Sequence, residues 1–156
     1  MRYQKQKAKV ARDHEKIAAQ RFEFQNVLSK RMIKSHDHTF AEDLKVANMK
    51  RNHKLAKAIS DVSWSQFLSL CEAKAAQHGK VFMKVPPQYT TQTCSVCGYV
   101  MSGDESLGLD VEDWICPSCG AHHFRDHNSA KNILARGEAM LAEKEKETAA
   151  ASPAAA

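Results

Sequence analysis

"ICPSCGAHHFRDHNSAKNIL", residues 115 to 134, runs from a pair of cysteines straight into a helix, and "TCSVCGY", residues 93 to 99, repeats the cysteine pattern upstream. Each stretch sets two thiols three positions apart and follows them with glycine. That spacing lets a tight turn aim both sulfurs at one ion, and glycine tolerates the backbone conformation where the turn exits. Two such turns brought together give a tetrahedral four-sulfur site made of Cys94, Cys97, Cys116 and Cys119. Such a site suits Zn2+, with bonds of about 2.3 Å. Protein fills all four positions, so the expected metal is structural and has no open site for chemistry. A short hairpin module has almost no core, and zinc is expected to supply on the order of 10 kcal/mol of its folding energy. With four sulfurs available, His122 and His123 are expected at the surface or against nucleic acid.

Between this module and the helix sits one acid, Asp126, preceded by Arg125 and followed two positions later by Asn128. A carboxylate there has two readings, a plain helix cap or a member of a catalytic metal site. Asp43, beside Glu42, carries the same ambiguity.

The whole chain has 156 residues, room for one domain or a small domain with an appended module. No stretch approaches the roughly 18 consecutive apolar residues that a membrane helix requires. The start, "MRYQKQKAKVARDHEK", lacks the apolar core of a secretory signal, so a cytoplasmic protein with no membrane partner is the default. In that compartment paired cysteines read as zinc ligands rather than disulfides. The net charge of +5 is concentrated in the front: residues 2 to 57 hold fifteen Lys and Arg against six Asp and Glu. Such a basic half suits a polyanion, above all nucleic acid, or is a solvated helix face.

Residues 3 to 34 read as one long helix, with Val10, Ile17, Phe24, Leu28 and Met32 as an apolar stripe among basic residues. A weak strand is expected around Thr39 to Ala41. A second helix is expected from a cap near Ser60 to Gly79, burying Trp64, Phe67, Leu68, Cys71 and Ala75. Cys71 then serves as a small buried hydrophobe. Lys80 to Val85 is a strand that Pro86 and Pro87 terminate. Ala130, Ile133, Leu134 and Leu141 trace the last helix, and "TAAASPAAA" is a low-complexity tail. The order is α/β.

"EDLKVANMKRNHKLAKAISDVSWSQFLSLCEAKA", then "KVPPQYTTQTCSVCG", "WICPSCGAHH" and "RDHNSAKNIL", resembles the carboxy-terminal part of the TnpB/OrfB family. These are transposon-associated, RNA-guided DNA nucleases related to type V CRISPR effectors. The resemblance extends back through the first helix and covers nearly all of the chain except the alanine tail.

The resemblance implies an incomplete RNase H-like (RuvC) domain with an inserted four-cysteine zinc ribbon. Residues 1–89 would form the partial nuclease domain, 90–123 the ribbon, 124–147 the final helix and 148–156 a disordered tail. In such nucleases three carboxylates hold two Mg2+ ions roughly 4 Å apart, since Mg2+ is a hard ion that prefers oxygen. The family's second acid falls on Glu42 and its third on Asp126, while Asn128 would fix the helix start and Arg125 would meet a phosphate. Lys5, Lys9, Arg12 and Lys16 on the basic helix would contact nucleic acid. DNA and a guide RNA are the implied partners. The first family aspartate lies upstream of the basic helix and has no counterpart here, and Asp13, mid-helix among basic residues, is no substitute. The family's acid before the final Arg is Phe124 in this sequence. A chain supplying the missing amino-terminal part would be a further partner, and a non-enzymatic nucleic-acid-binding module is the competing reading. With two of three carboxylates, the chain alone is expected not to cleave DNA; a Mg2+- or Mn2+-dependent nick of single-stranded DNA that Asp126→Ala abolishes would overturn this.

Overall fold

A computed structural model describes residues 2–46, 63–108 and 110–151. Its elements are α1 (Arg2–Ser35), β1 (His38–Glu42), α2 (Trp64–His78), β2 (Val81–Val85), β3 (Asp113–Ile115), β4 (His122–Phe124) and α3 (Arg125–Ala151). The order is mixed α/β, as the sequence predicts. The expected cap at Ser60 lies outside the described residues. The last helix runs beyond residue 147 to Ala151, carried by alanines with the highest helix propensity.

The chain divides into two compact units. The first comprises residues 1–39 with 45–82, the second residues 40–44 with 83–156. β1 pairs with β2, and the division runs across both strands. At one end the Val81 amide donates to the Asp37 carbonyl (2.9 Å), and at the other the Asp43 amide donates to the Val85 carbonyl (2.8 Å). These bonds climb both strands in the same direction, so the pair is parallel and α2 lies in its crossover, as a parallel connection requires.

In the first unit Ile33 of α1 meets Cys71 and Ala75 of α2, with Phe67 and Phe82 packed against them. Cys71 is fully buried, the small hydrophobe the sequence predicts. Gly79 takes φ 62° and ends α2, while the Lys80 amide reaches back to the Ala75 carbonyl at 2.9 Å. The predicted stripe of α1 is corrected: Gln25, Ser29 and Ile33 are buried, whereas Val10, Ile17 and Phe24 are exposed. A seven-residue repeat drifts about 20° per heptad on a straight helix. The buried stripe instead recurs every four residues, where Ser29 is small enough to admit α2. Lys74 of α2 completes this contact, donating to the Asn26 side chain at 2.6 Å.

In the second unit β3 and β4 form an antiparallel hairpin with Trp114 opposite His123. Cys94, Met101, Trp114 and Cys116 make its core, with Tyr99, Leu107 and Val111 alongside. The module therefore has a small apolar core, where the sequence suggested almost none. α3 packs against β1 at Gly137, where an added Cβ would come within 2.2 Å of the Phe40 ring. Only a residue without a side chain leaves room for that ring. Gly137→Ala is expected to lower stability by about 1–3 kcal/mol, although alanine favours helix, because the ring must leave its low-energy rotamer. Denaturant unfolding of both forms checks this, and a neutral or stabilising change would refute the close packing.

Candidate metal centre and the start of the last helix

The two cysteine turns are near duplicates in backbone hydrogen bonding. The Gly98 and Gly120 amides each donate to the carbonyl of the first cysteine of their turn at 2.9 Å. The Cys94 and Cys116 amides each donate at 2.8 Å to the carbonyls of Tyr99 and Ala121. Both glycines have positive φ, 78° and 73°, the conformation that the exit of a sulfur-presenting turn demands.

The four Sγ atoms lie within 4.8 Å of one another, and Cys94–Cys119 and Cys97–Cys116 are each 3.7 Å apart. Sulfurs at the corners of a tetrahedron with metal bonds of about 2.3 Å sit about 3.8 Å apart, so the spacing fits a Zn2+ site. The chemistry agrees. The Tyr99 amide hydrogen-bonds the Cys97 sulfur and draws its pKa down to about 7. The Ala121 amide pulls Cys119 the same way, but desolvation and the neighbouring sulfurs outweigh it and carry that thiol up to about 12. Four sulfurs this close cannot all be thiolates without a cation among them. Zn2+ would be held by these four side chains and would contribute folding energy rather than reactivity.

His123 departs from its expected place. It is buried, at 5% exposure, and its ring stacks on Trp114 with centroids 4.5 Å apart. Its Nε2 lies 3.1 Å from the Cys94 sulfur. Burial, with Lys131 and His122 nearby, holds its pKa below the usual imidazole value and favours the neutral ring. The β4 alternation accounts for this: His123 points inward while His122 and Phe124 face solvent. His122 is exposed, as expected.

α3 begins at Arg125, directly after β4. Asn128, at 1% exposure, accepts from the Ser95 amide (2.9 Å) and donates to the Thr93 carbonyl (2.7 Å). Asn132, one turn on, donates to the carbonyls of Thr90 (2.8 Å) and Thr93 (2.7 Å). One turn further, Arg136 donates to the carbonyls of Pro86 and Gln88. Residues 128, 132 and 136 thus fasten the loop after β2 along one face of the helix. Asn128 was legible as a helix-start residue; Asn132, Arg136 and Thr90 were missed, though the four-residue spacing of the two asparagines was visible.

The two candidate acids both belong to this second unit. Glu42 ends β1, half-buried, and the Thr90 hydroxyl lies 2.5 Å from its Oε1 and 3.1 Å from the Pro87 carbonyl. Its single proton serves the carboxylate best, since charge-assisted bonds are the stronger. Asp126 sits in the first turn of α3 with its side chain 92% exposed, 3.8 Å from the Arg125 guanidinium. A negative charge there is favoured by the helix dipole. At about 100° per residue Asp126 shares a helix face with Ile133 and Gly137, the residue against Phe40. Phe40 and Glu42 share a face of β1. Asp126 lies six residues, roughly 9 Å along the helix axis, before Asn132, whose side chain meets Thr90, the partner of Glu42. A cavity of about 290 Å3 at this end is lined by Glu112, Phe124, Arg125, Asp126 and His127. Arg125 is partly buried beside Asp126. Among the described residues the four cysteines are the one group of three or more His, Cys, Asp or Glu close enough to hold an ion together. In the first unit Lys5, Lys9, Arg12 and Lys16 are exposed on α1, and the first three border a surface depression with Gln6 and Asp13.

The chain matches known proteins over most of its length. The family profile of the Cas12f1-like TNB domain matches residues 64–133, and that of OrfB from IS605, described as a probable transposase, matches residues 1–53. A Streptomyces pristinaespiralis protein, named as a candidate RNA-guided DNA endonuclease, is 40% identical over 88% of this chain and 34% of its own length. Escherichia coli K12 InsQ, named in the same way, is 32% identical over 90% of this chain and 38% of its own length. Among solved structures, Cas12f1 in complex with sgRNA and target DNA superposes with TM-score 0.59 at 21% identity, over 77% of this chain and 35% of that one. The chain belongs to the TnpB/OrfB family. It spans about a third of the length of the curated relatives it matches. Among the described residues no helix is long and apolar enough to cross a membrane.

Removal of zinc by a strong chelator is expected to unravel residues 93–123 and loosen the first turn of α3, read by amide hydrogen exchange. Zinc affinity should fall as pH drops, and more steeply through about 7, because protons already compete for Cys119 above that pH and then compete for Cys97 as well. An affinity that stays level or rises over that interval would count against the sulfur site.

Proposed function

We propose that this chain carries two of the metal-binding carboxylates and the zinc ribbon of a RuvC-like, RNA-guided DNA nuclease. Glu42 and Asp126 are the carboxylates, and Cys94, Cys97, Cys116 and Cys119 hold a structural Zn2+. The observation that carries this reading is the fastening of the Asp126 turn: Asn128 and Asn132 tie α3 to the loop whose Thr90 holds Glu42. One helix thereby governs both acids. A residue serving only as a helix cap would not need a second carboxylate held by the same scaffold.

Carboxylate oxygens suit Mg2+, which would supply an activated water and charge neutralisation at the phosphate. The chain's own groups do the positioning. Thr90 orients Glu42 by donating to it, Arg125 stands beside Asp126 to meet a phosphate oxygen, and β4 sets the direction in which α3 starts. The two units would form part of an RNase H-like domain with the ribbon inserted before its last helix. DNA and a guide RNA are the partners this reading assigns, consistent with the Cas12f1 relative in its sgRNA and DNA complex. The exposed lysines and arginine of α1 would follow a phosphate backbone.

Exposure of that basic face also favours a second reading, a nucleic-acid-binding module in which the acids take no part. Mn2+ titration followed by electron paramagnetic resonance separates the two. Under the nuclease reading the full chain binds Mn2+ at millimolar or lower concentration, and Asp126→Asn or Glu42→Gln weakens this several-fold. Equal Mn2+ binding in wild type and both variants would leave the module reading. Either way, replacing Lys5, Lys9, Arg12 and Lys16 together by Gln should reduce the salt slope of DNA binding by about 3, at roughly 0.7–0.9 for each phosphate that is no longer neutralised.

A further inference from the structure

We infer that His123 donates a hydrogen bond from Nε2 to the metal-bound Cys94 thiolate, and so makes the placement of Asp126 depend on zinc in the ribbon. The inference rests on the zinc site and the role for Asp126 proposed above. Its core is the 3.1 Å approach of Nε2 to the Cys94 sulfur, with both residues almost wholly shielded from solvent.

The direction of this bond follows from chemistry. A metal-bound cysteine sulfur has lost its proton, so it can only accept. The ring must therefore present Nε2–H, which fixes its tautomer. Four thiolates around one divalent cation leave two negative charges in excess. Cys97 and Cys119 are exposed, and their charge is eased by water and by the Tyr99 and Ala121 amides. Cys94 is at 1% exposure, out of reach of that solvation, and there a neutral donor beside the sulfur has most to offer. Trp114 stacked on the ring keeps the donor in line.

The same turn touches the chain on both sides of Asp126. His123, three residues before it, meets the Cys94 sulfur; Asn128, two residues after it, meets Thr93 and Ser95. A six-residue span with Asp126 inside is pinned at both ends to residues 93–95. The rear pin is made of bonds from the Asn128 carboxamide to backbone groups and does not involve the metal. The front pin accepts at a sulfur whose position the metal fixes. His123 is thus a positioning residue acting through Cys94, and it touches neither substrate nor ion.

The test uses the full chain with His123→Leu, which keeps bulk and removes the donor, and His123→Gln, whose Nε2 reaches about as far as that of histidine. Zinc affinity is measured by competition with a chromophoric chelator, sulfur ligands are counted by zinc-edge X-ray absorption, and the sulfur-to-metal charge-transfer band is read on the Co2+ form. Hydrogen exchange of residues 124–128 is followed with zinc bound. The expected results for His123→Leu are zinc affinity lower by roughly 10- to 100-fold, a shifted Co2+ band and faster exchange at 124–128. His123→Gln should recover most of each, and all three proteins should keep four sulfur ligands. Unchanged affinity in His123→Leu, or glutamine no better than leucine, would reduce His123 to a packing residue and overturn the inference. A nitrogen ligand in the wild type would overturn it as well. None of these readouts uses DNA cleavage, so failure of the nuclease reading would show separately, in the Mn2+ titration.

Discussion

Two carboxamides, one buried and one half-buried, hold the second unit together. Asn128 and Asn132 satisfy the otherwise unpaired backbone of the loop after β2, taking one bond from Ser95 and giving bonds to Thr90 and twice to Thr93. A loop that passes under a helix must find partners for its peptide groups, because a buried unpaired carbonyl costs about 1–3 kcal/mol. The helix supplies them from its side chains, spaced one turn apart. That constraint fixes where α3 starts relative to the first cysteine turn, and with it the position of Asp126. It also fixes Thr90, and with it Glu42.

Much of this was legible before any coordinates. The cysteine turns declared themselves because their chemistry is local: spacing, sulfur and a following glycine are enough. α2 and its exit at Gly79 were readable for the same reason. Asp126 and Glu42 drew attention through resemblance to a family, since a single carboxylate at a helix start is ambiguous on its own. What escaped is long-range. Thr90 acquires its role only when Glu42, 48 positions away, is folded beside it. His123 looked like a surface or nucleic-acid-contacting residue because four sulfurs already filled the metal site, while the two-residue alternation of a three-residue strand turned it inward. The stripe of α1 was misread because periodicity describes a helix and not its neighbour: α2 chose the face bearing Ser29.

α1 shows the opposite economy. Its first twenty-three residues are exposed among the described part of the structure, with Tyr3, Val10, Ile17 and Phe24 in a line at seven-residue spacing. Its cationic residues stand on the same exposed length of helix. That stretch of the first unit thus contributes charge and surface, while the second unit is ordered by glycines, asparagines and cysteines as well as by its apolar groups.

The ring of Phe40 in the notch at Gly137 bears on how the second unit can move. A helix whose groove receives an aromatic ring at one missing Cβ has a single permitted azimuth. Turning it by one residue would bring Arg136 or Glu138 onto the ring, and sliding it by one residue would do the same. The notch acts as a detent, so α3 does not drift by small degrees. Asp126 shares that single seating, because the helix that carries it is set at Gly137 by the ring and at its start by His123 and Asn128.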